Sequence, residues 1–532
     1  MKKRYVGILM ALVLAVTGTM TACGGESPAK PKPKSETVSA SSSAASSEES
    51  SSAESTESTE STKSTETTES TESTETSSES SEAEEKKVDG DYAYQLKDDG
   101  SIAMNYGAIL HAFSWDFKTI TENLQDIKDA GYTSIQTSPI NQCAGTDTPL
   151  KIMGDKDDGS DGAWWWHYQP TDYVIGNYQL GTEEDFKNLC KEADKVGLKI
   201  IVDVPLNHTT SNEDLISQNI FDLCENPFHN NGDIASYASR KQVTQRNLLG
   251  LKDLNTQDKN VQEYLLKYLK TCVEDGASGF RFDAAKHIEL PDDDEAFASD
   301  FWPTVLDNGA EFQYGEILQS ENDRFEDYSK IMSVTASSYG ERVRSAAHGY
   351  VSTGSVESYV VGNVDPSKLV TWVESHDNYC NDGEDSWFEL EESDIEYGWA
   401  VIAARSGGAP LFFSRPNNAS KDNPWGDNVL GKAGSDGYKS ENVSALNHFR
   451  NEMAGLGEKL SNPDADGKVL MIERGDKGAV IINMSDSDFE LKDTESVLAD
   501  GTYKDKVTNA EFTVSGGKIN GKVPSKGNIV IY

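Results

Sequence analysis

A (β/α)₈ barrel with an inserted subdomain after its third strand, followed by an antiparallel β-sandwich domain, is the fold this 532-residue sequence predicts. Three observations lead there. Short, mostly apolar strands alternate with amphipathic helical stretches, the pattern of a parallel sheet covered on both faces. The polar residues of those strands gather at or just past their C-terminal ends, where a barrel builds its sites. Beyond about Gly457 the helical pattern stops, and runs such as KVLMIER and GAVIINM alternate with Gly and Asp turns, as antiparallel strands do.

The elements follow in chain order. Met1-Lys2-Lys3-Arg4 and the apolar run Tyr5 to Met20 have the layout of an export signal, too short for a membrane span. Met20-Thr21-Ala22-Cys23-Gly24 resembles a bacterial lipobox, with Met where Leu is usual, which implies that the signal region 1–23 is cut just before Cys23 and that Cys23, the first residue of the mature chain, carries a lipid. Residues 24–90 are Ser, Thr, Glu, Ala and Pro with a near three-residue beat (STESTESTKSTETTESTEST), a composition that cannot form a core. About 60 such residues reach roughly 200 Å when fully extended, enough to display a folded unit through a cell wall. The expected localisation is therefore export, with a lipid anchor on the outer face of the membrane and no other membrane contact.

This tract carries much of the net charge of −42, so that charge says little about the folded part. An acidic chain lacks the basic footprint that nucleic acid needs, so nucleic acid is excluded as a partner. Cys143, Cys190, Cys224, Cys272 and Cys380 form no C-x-x-C pair and read as inert buried thiols.

Folded sequence starts near Asp91. The strands are AILHAF (108–113), TSIQTSPI (133–140), KIIVDVPLNH (199–208), GFRFDAAKH (279–287), EFQYGEIL (311–318), LVTWVESHD (369–377) and APLFFSRP (409–416). Helical patterns such as NLQDIKDAG and FKNLCKEADKVG lie between them. The loop-rich stretch 209–256 breaks the rhythm as an insertion, leaving 91–208 and 257–445 for the barrel and 446–532 for the β domain.

Within these strands the polar groups are Asp203, Asn207 and His208, then Arg281 and Asp283, then Glu316, then His376 and Asp377. A single acid at a strand end is more often a helix cap or an ion-pair partner than a catalyst. Three of them, with an arginine and two histidines converging on one face, point to chemistry.

DVPLNH, GFRFDAAKH, YGEIL and WVESHD resemble, in order, the motif regions of the α-amylase family of glycoside hydrolases (family 13). AILHAFSW, DAGYTSIQTSPINQ, HYQPTDY, LLGL, AKHIELPDD, EFQYGEILQ and LFFSRP extend the similarity to secreted bacillus-type α-amylases from about residue 105 to the end. The resemblance implies a retaining, endo-acting α-amylase acting on α-1,4 links of starch-like glucans. It makes Asp283 the nucleophile, Glu316 the general acid and later the base, and Asp377 a ligand of sugar hydroxyls. Arg281 would hold Asp283 ionised and aimed, and His208 and His376 would hydrogen-bond the sugar. By the same match Tyr168 is a stacking platform in GAWWWHYQP, with Trp165 and Gln169 beside it, and Lys286 contacts sugar on the product side. Calcium is implied at Asn207, Asp253 and the main-chain oxygens of Thr244 and His287, an oxygen set that suits that ion. The chain is expected to act as a monomer. Two other readings stay open at this point. One is a glucanotransferase or maltogenic enzyme using the same residues. The other is a surface glucan-binding protein with a dead barrel, whose usual mark, a lost acid, is absent here.

Overall fold

The computed structural model describes residues 90–145, 150–153, 164–320, 323–350, 352–359, 362–380 and 390–532. The export signal, Cys23 and the tether up to residue 89 lie outside the described residues. Eight strands form a closed parallel barrel: β1 (Ile109–Ala112), β2 (Ser134–Thr137), β3 (Lys199–Val204), β4 (Gly279–Phe282), β5 (Phe312–Gly315), β6 (Ser333–Thr335), β7 (Leu369–Trp372) and β8 (Ala409–Phe413). Each pairs with its neighbour in sequence, and β8 closes on β1 with Ile109 beside Leu411. Strand alternation marks all of them except β6. That strand is only Ser333, Val334 and Thr335, too short for a periodicity to register.

The barrel interior is filled by Met104, Ile109, Ile201, Phe312, Tyr314, Val370, Trp372, Ala409 and Leu411. Outward-facing strand residues pack under the helices, among them α1 (Phe117–Asp129), α2 (Glu183–Lys195), α3 (Lys259–Glu274), α4 (Ser337–Ala347), α5 (Glu392–Ala404) and α6 (Glu441–Glu452). Their start signals are in the sequence. Asp116 caps α1, Thr182 and Asp185 form a capping box on α2, and Asp258 caps α3. In α1, Phe117, Ile120, Leu124 and Ile127 are buried at three- and four-residue spacing.

The insertion after β3 carries short helices at Gln218–Phe221 and Arg240–Gln245 and a ribbon of His208–Thr209 against Lys252–Asp253. A second excursion, after β2, was not expected from the sequence. There Asn141–Cys143, Pro170–Asn177 and Gly181–Thr182 form an antiparallel sheet, preceded on its middle strand by the turn Trp164–Tyr168. Its pairing is broken by register shifts, so no clean alternation announces it.

The expected domain boundary at residue 446 falls inside α6, because Leu446 and Phe449 pack that helix into the barrel's core. The β domain begins at Glu458 and consists of two four-stranded antiparallel sheets. Val469, Met471, Ala479 and Ile481 face the second sheet, whereas Leu470, Ile472, Val480 and Ile482 face the barrel side. Both faces of these strands are buried, which is why KVLMIER and GAVIINM are almost continuously apolar. Arg450 of α6 and Arg474 of this sheet are fully buried and donate to carbonyls, including Tyr106 O at 2.7 Å and Leu456 O at 2.8 Å, tying barrel base to β domain.

Candidate active site

Side chains two apart on a strand share a face, so each inward row climbs from packing to chemistry. On β3 the row is Ile201 then Asp203; on β4 it is Gly279, Arg281, then Asp283 just past the strand; on β5 it is Phe312, Tyr314, then Glu316. His376 and Asp377 open the short helix His376–Cys380 after β7. The register of β3 and β4 sets Asp203 directly beside Arg281. Past Asp283 the chain turns at Ala284, a non-glycine residue at φ 49°. That turn aims the Ala284 N–H at Glu316 Oε2, 2.9 Å away. Such left-handed strain persists where its surroundings hold it and often marks function.

One guanidinium organises the acids. Arg281 Nη1 lies 2.7 Å from both Asp203 oxygens and 3.0 Å from Asp283 Oδ1, and Nη2 lies 3.1 Å from Glu316 Oε1. The expectation that Arg281 serves Asp283 alone is thus too narrow: its closest partner is Asp203, which also accepts from the Tyr168 hydroxyl at 2.9 Å. Burial, then the Glu316 charge, push Asp377 up to about 8. Burial pushes Asp203 up to about 6 against the pull of Arg281, and it raises the Asp283 carboxyl well above its usual range against the same pull. Three acids share one cation and a fourth, Asp377, stands against Glu316, so all four cannot ionise together and the free site keeps a proton.

The position of Asp203 yields a prediction. Asp203→Asn removes a negative charge that raises Asp283 and Asp377 and frees Arg281 to lean on Asp283. Both effects lower the Asp283 carboxyl, so the acid limb of kcat/KM should move to lower pH by about one unit. kcat should fall by about 10- to 100-fold from misplacement of Arg281. A fall in rate with an unmoved acid limb would reduce Asp203 to a packing group.

Rings wall the site. Tyr168 stacks on His376 with centroids 5.1 Å apart and planes 7° apart, and Phe113 stacks on His376 at 5.9 Å. Burial and the Arg281 charge push His376 well below the usual imidazole range, so it is neutral. Burial likewise takes His208 down to about 4. Its Nε2 donates to Tyr168 O at 3.1 Å, leaving Nδ1 to accept from Asn207 Nδ2 at 3.3 Å. Lys286 is buried and donates to Leu318 O at 3.3 Å, two residues past Glu316. Gln169 and Trp165 sit further out. Gln169 accepts from Thr210 Oγ1 at 3.0 Å, and Trp165 packs on Trp166 at 4.2 Å between centroids.

The amide of Asn207 is spent on His208 through its nitrogen, and its buried Oδ1 has no partner. Beside it Asp253 is buried, its carboxyl raised by desolvation, with His229 Nδ1 at 2.7 Å from Oδ2. Leu254 N–H donates to Asn207 O at 3.0 Å, and His287 Nδ1 lies 2.9 Å from Val243 O. These bonds bring the insertion's Thr244 and Asp253 against Asn207 and His287 of the barrel. An orphaned amide oxygen, a desolvated carboxylate and main-chain carbonyls fit a hard cation. No cluster of three or more His, Cys, Asp or Glu side chains suited to a metal occurs among the described residues, so such an ion would depend on those amide and main-chain oxygens.

Comparison with known proteins places this geometry. Residues 69–227 match the profile described as the alpha-amylase catalytic domain. An alpha-amylase of Butyrivibrio fibrisolvens is 43% identical over 464 residues, which cover 80% of this chain and 47% of that protein. The chain belongs to the α-amylase family. An alpha-amylase of Clostridium acetobutylicum is 38% identical over 444 residues, 80% of this chain and 54% of that protein. The chain thus spans about half the length of these curated α-amylase relatives. Among solved structures, a mutant of α-amylase I from Eisenia fetida in complex with maltohexaose aligns with a TM-score of 0.66 at 20% identity, over 81% of this chain and 98% of that one. An Anoxybacillus α-amylase aligns with 0.62 at 18% identity, over 80% and 97%. At those identities the likeness is one of fold.

Set against this α-amylase-family frame, sequence reasoning missed three residues. Asp203 was visible as a polar strand residue but not as the partner of Arg281. Trp164, rather than Trp165, meets the catalytic wall, 5.5 Å from His376 and 5.9 Å from Tyr168. His111 of β1 lies edge-on to His376 at 5.4 Å, buried and neutral. Its signal was available: it alone is polar in AILHAF.

Proposed function

We propose that the chain is a retaining, endo-acting α-amylase that hydrolyses α-1,4-glucosidic bonds in starch, glycogen and maltodextrins. The observation that carries this reading is the shared guanidinium of Arg281, with Asp283 Oδ1 at 3.0 Å and Glu316 Oε1 at 3.1 Å. Acids held by neighbouring nitrogens of one group stand close together. A retaining mechanism needs that, whereas an inverting one spaces its carboxyls by about 6.5–9.5 Å to admit water.

In the first step Glu316 gives a proton to the glycosidic oxygen as Asp283 attacks the anomeric carbon. The C–O bond breaks, the leaving chain departs with the proton, and Asp283 carries the glycosyl group with inverted configuration. In the second step the Glu316 carboxylate takes a proton from water while that water attacks the same carbon and Asp283 leaves. Two inversions return the α product. Arg281 and the Ala284 N–H stabilise the carboxylates these steps create. Neutral His376 and the Tyr168 ring offer a hydrogen bond and a stacking face to the sugar, while His208, expected to bond the sugar too, spends both ring nitrogens on Tyr168 O and Asn207 and braces that wall. Asp377 binds hydroxyls of the same sugar.

A calcium ion fits Asn207, Asp253 and the carbonyls of Thr244 and His287, where it would cross-link insertion and barrel without joining the chemistry. Chelation is expected to lower the melting temperature by on the order of 5 °C, the size of losing a bound ion in a protein this large. An unchanged melt removes calcium from this site. No helix among the described residues is long and apolar enough to cross a membrane, and attachment through a lipid on Cys23, with residues 24–90 as spacer, is the arrangement the leader supports.

Proton NMR of maltoheptaose digestion tests the reaction itself. New reducing ends should appear first as the α anomer. Products that appear first as β, or chains that redistribute without new reducing ends, would refute retaining hydrolysis.

A further inference from the structure

A groove of about 170 Å³ lies between the end of α4 and the first sheet of the β domain, away from the catalytic acids. In a barrel each helix runs back against its strand, so residues past the C-terminus of α4 lie at the face opposite Asp283, Glu316 and Asp377. On the rim of this groove Tyr350 is 66% exposed, the most exposed large side chain of its kind among the described residues. Its ring gives the groove an apolar, polarisable face with a hydroxyl at one end. The ring is braced from behind by His348, with ring centroids 4.4 Å apart.

The opposite wall is built to stay in place. Thr353 N–H and Oγ1 donate to Gly467 O at 2.8 and 3.1 Å, pinning the 466–468 loop to the barrel. Gly467 has φ +65°, and a Cβ there would meet the Ser352 Cβ at 2.9 Å, so glycine permits this approach. The loop sets Asp466 and Lys468 on the groove with exposed side chains that make no hydrogen bond or ion pair among the described residues. An exposed ring face, a free acceptor and a free donor around a space of single-ring size match the C–H face and paired hydroxyls of a sugar. A protein partner needs a far broader surface.

We propose that this groove is a second α-glucan site, in which a glucosyl unit stacks on Tyr350 and its hydroxyls bond to Asp466 and Lys468. The proposal rests on the α-glucan reading of the catalytic cleft, since a polymer long enough to be cut in the cleft can be held at both places. Such two-point attachment raises the effective concentration of polymer at the cleft without altering the chemistry.

Affinity electrophoresis of the full chain through gels containing amylopectin reads the site directly, run on a Glu316→Gln background to prevent digestion. Tyr350→Ala should weaken retardation about five- to tenfold, the usual loss for a central aromatic contact. Tyr350→Trp should retain it, and Lys468→Ala should weaken it partly. On the active background, cleavage of maltoheptaose should be the same with Tyr350→Ala as without. Unchanged retardation with Tyr350→Ala overturns the site, as does an equal loss of maltoheptaose cleavage, which would mean a disturbed barrel. A mobility change in glucan-free gels assigns the ring to self-association and overturns it too. If the unsubstituted chain fails to cleave maltoheptaose while retardation still depends on Tyr350, the proposed reaction falls and the glucan site stands.

Discussion

Replacing Asp283 with Ala is expected to lower kcat on soluble starch by about 10⁴- to 10⁶-fold, the scale of losing a covalent nucleophile. The residue is placed by its backbone as well as its charge: its N–H donates to Val204 O at 3.1 Å, and Arg281 Nη1 stands 3.0 Å from its oxygen. Truncation leaves a carboxylate-sized gap on the face from which the anomeric carbon is attacked, with Arg281 still lining it. A small external anion can then take the vacant place. With α-maltosyl fluoride and azide, the variant should form β-maltosyl azide as the C–F bond breaks and fluoride leaves, with no proton needed from Glu316. Melting of the variant near the parent temperature separates lost chemistry from lost fold. An α-configured azide, or starch cleavage within tenfold of the parent, would take the nucleophile's role from Asp283.

What the sequence discloses of this site, and what it hides, divides along one physical line. Groups that break a local pattern are visible. Arg281 and Asp283 interrupt an apolar strand, and Glu316 and Asp377 end two others, so their convergence follows from barrel topology alone. Groups whose meaning lies in a neighbour far along the chain are hidden. Asp203 reads as an ordinary strand acid until β3 and β4 are in register, 78 residues apart, with Arg281 between three carboxyls. The choice between Trp164 and Trp165 is likewise invisible. Adjacent residues in the tight turn Trp164–Tyr168 point different ways, and only the packed turn says which one meets His376.

The fold follows the same line. Strands of four to six residues with apolar runs declare themselves, and capping residues such as Asp116 and Thr182 fix helix starts. The three-residue β6 and the irregular sheet after β2 carry too few residues per element to show a period. The α6 boundary was misjudged because a helix that closes the barrel and strands that pack on it are both apolar there. The orphaned Asn207 oxygen is the most indirect case. Its availability to a cation depends on the His208 tautomer, which depends in turn on the Tyr168 carbonyl.

Glu316→Gln is expected to reduce kcat on starch by about 10²- to 10⁴-fold, the usual contribution of a positioned acid and base. Gln keeps the shape, but its single oxygen can accept from only one of Arg281 and the Ala284 N–H, so a comparison of substrates is needed to isolate the proton. The two half-reactions should part company. α-Maltosyl fluoride needs no proton on its leaving group, so glycosylation of Asp283 should proceed at close to the parent rate. Deglycosylation needs a base to take the proton of water, which Gln cannot do. The glycosyl-enzyme should therefore accumulate, giving a burst of fluoride equal to the enzyme present, and mass spectrometry of the peptide GFRFDAAKH should carry a maltosyl group on Asp283. A substrate whose leaving group demands protonation, such as maltoheptaose, should give neither burst nor adduct. Equal loss on both substrates would mean that Glu316 positions the sugar and that the proton comes from elsewhere. Asp377, which stands against Glu316 and whose carboxyl burial and the Glu316 charge push up to about 8, would then be the acid to examine.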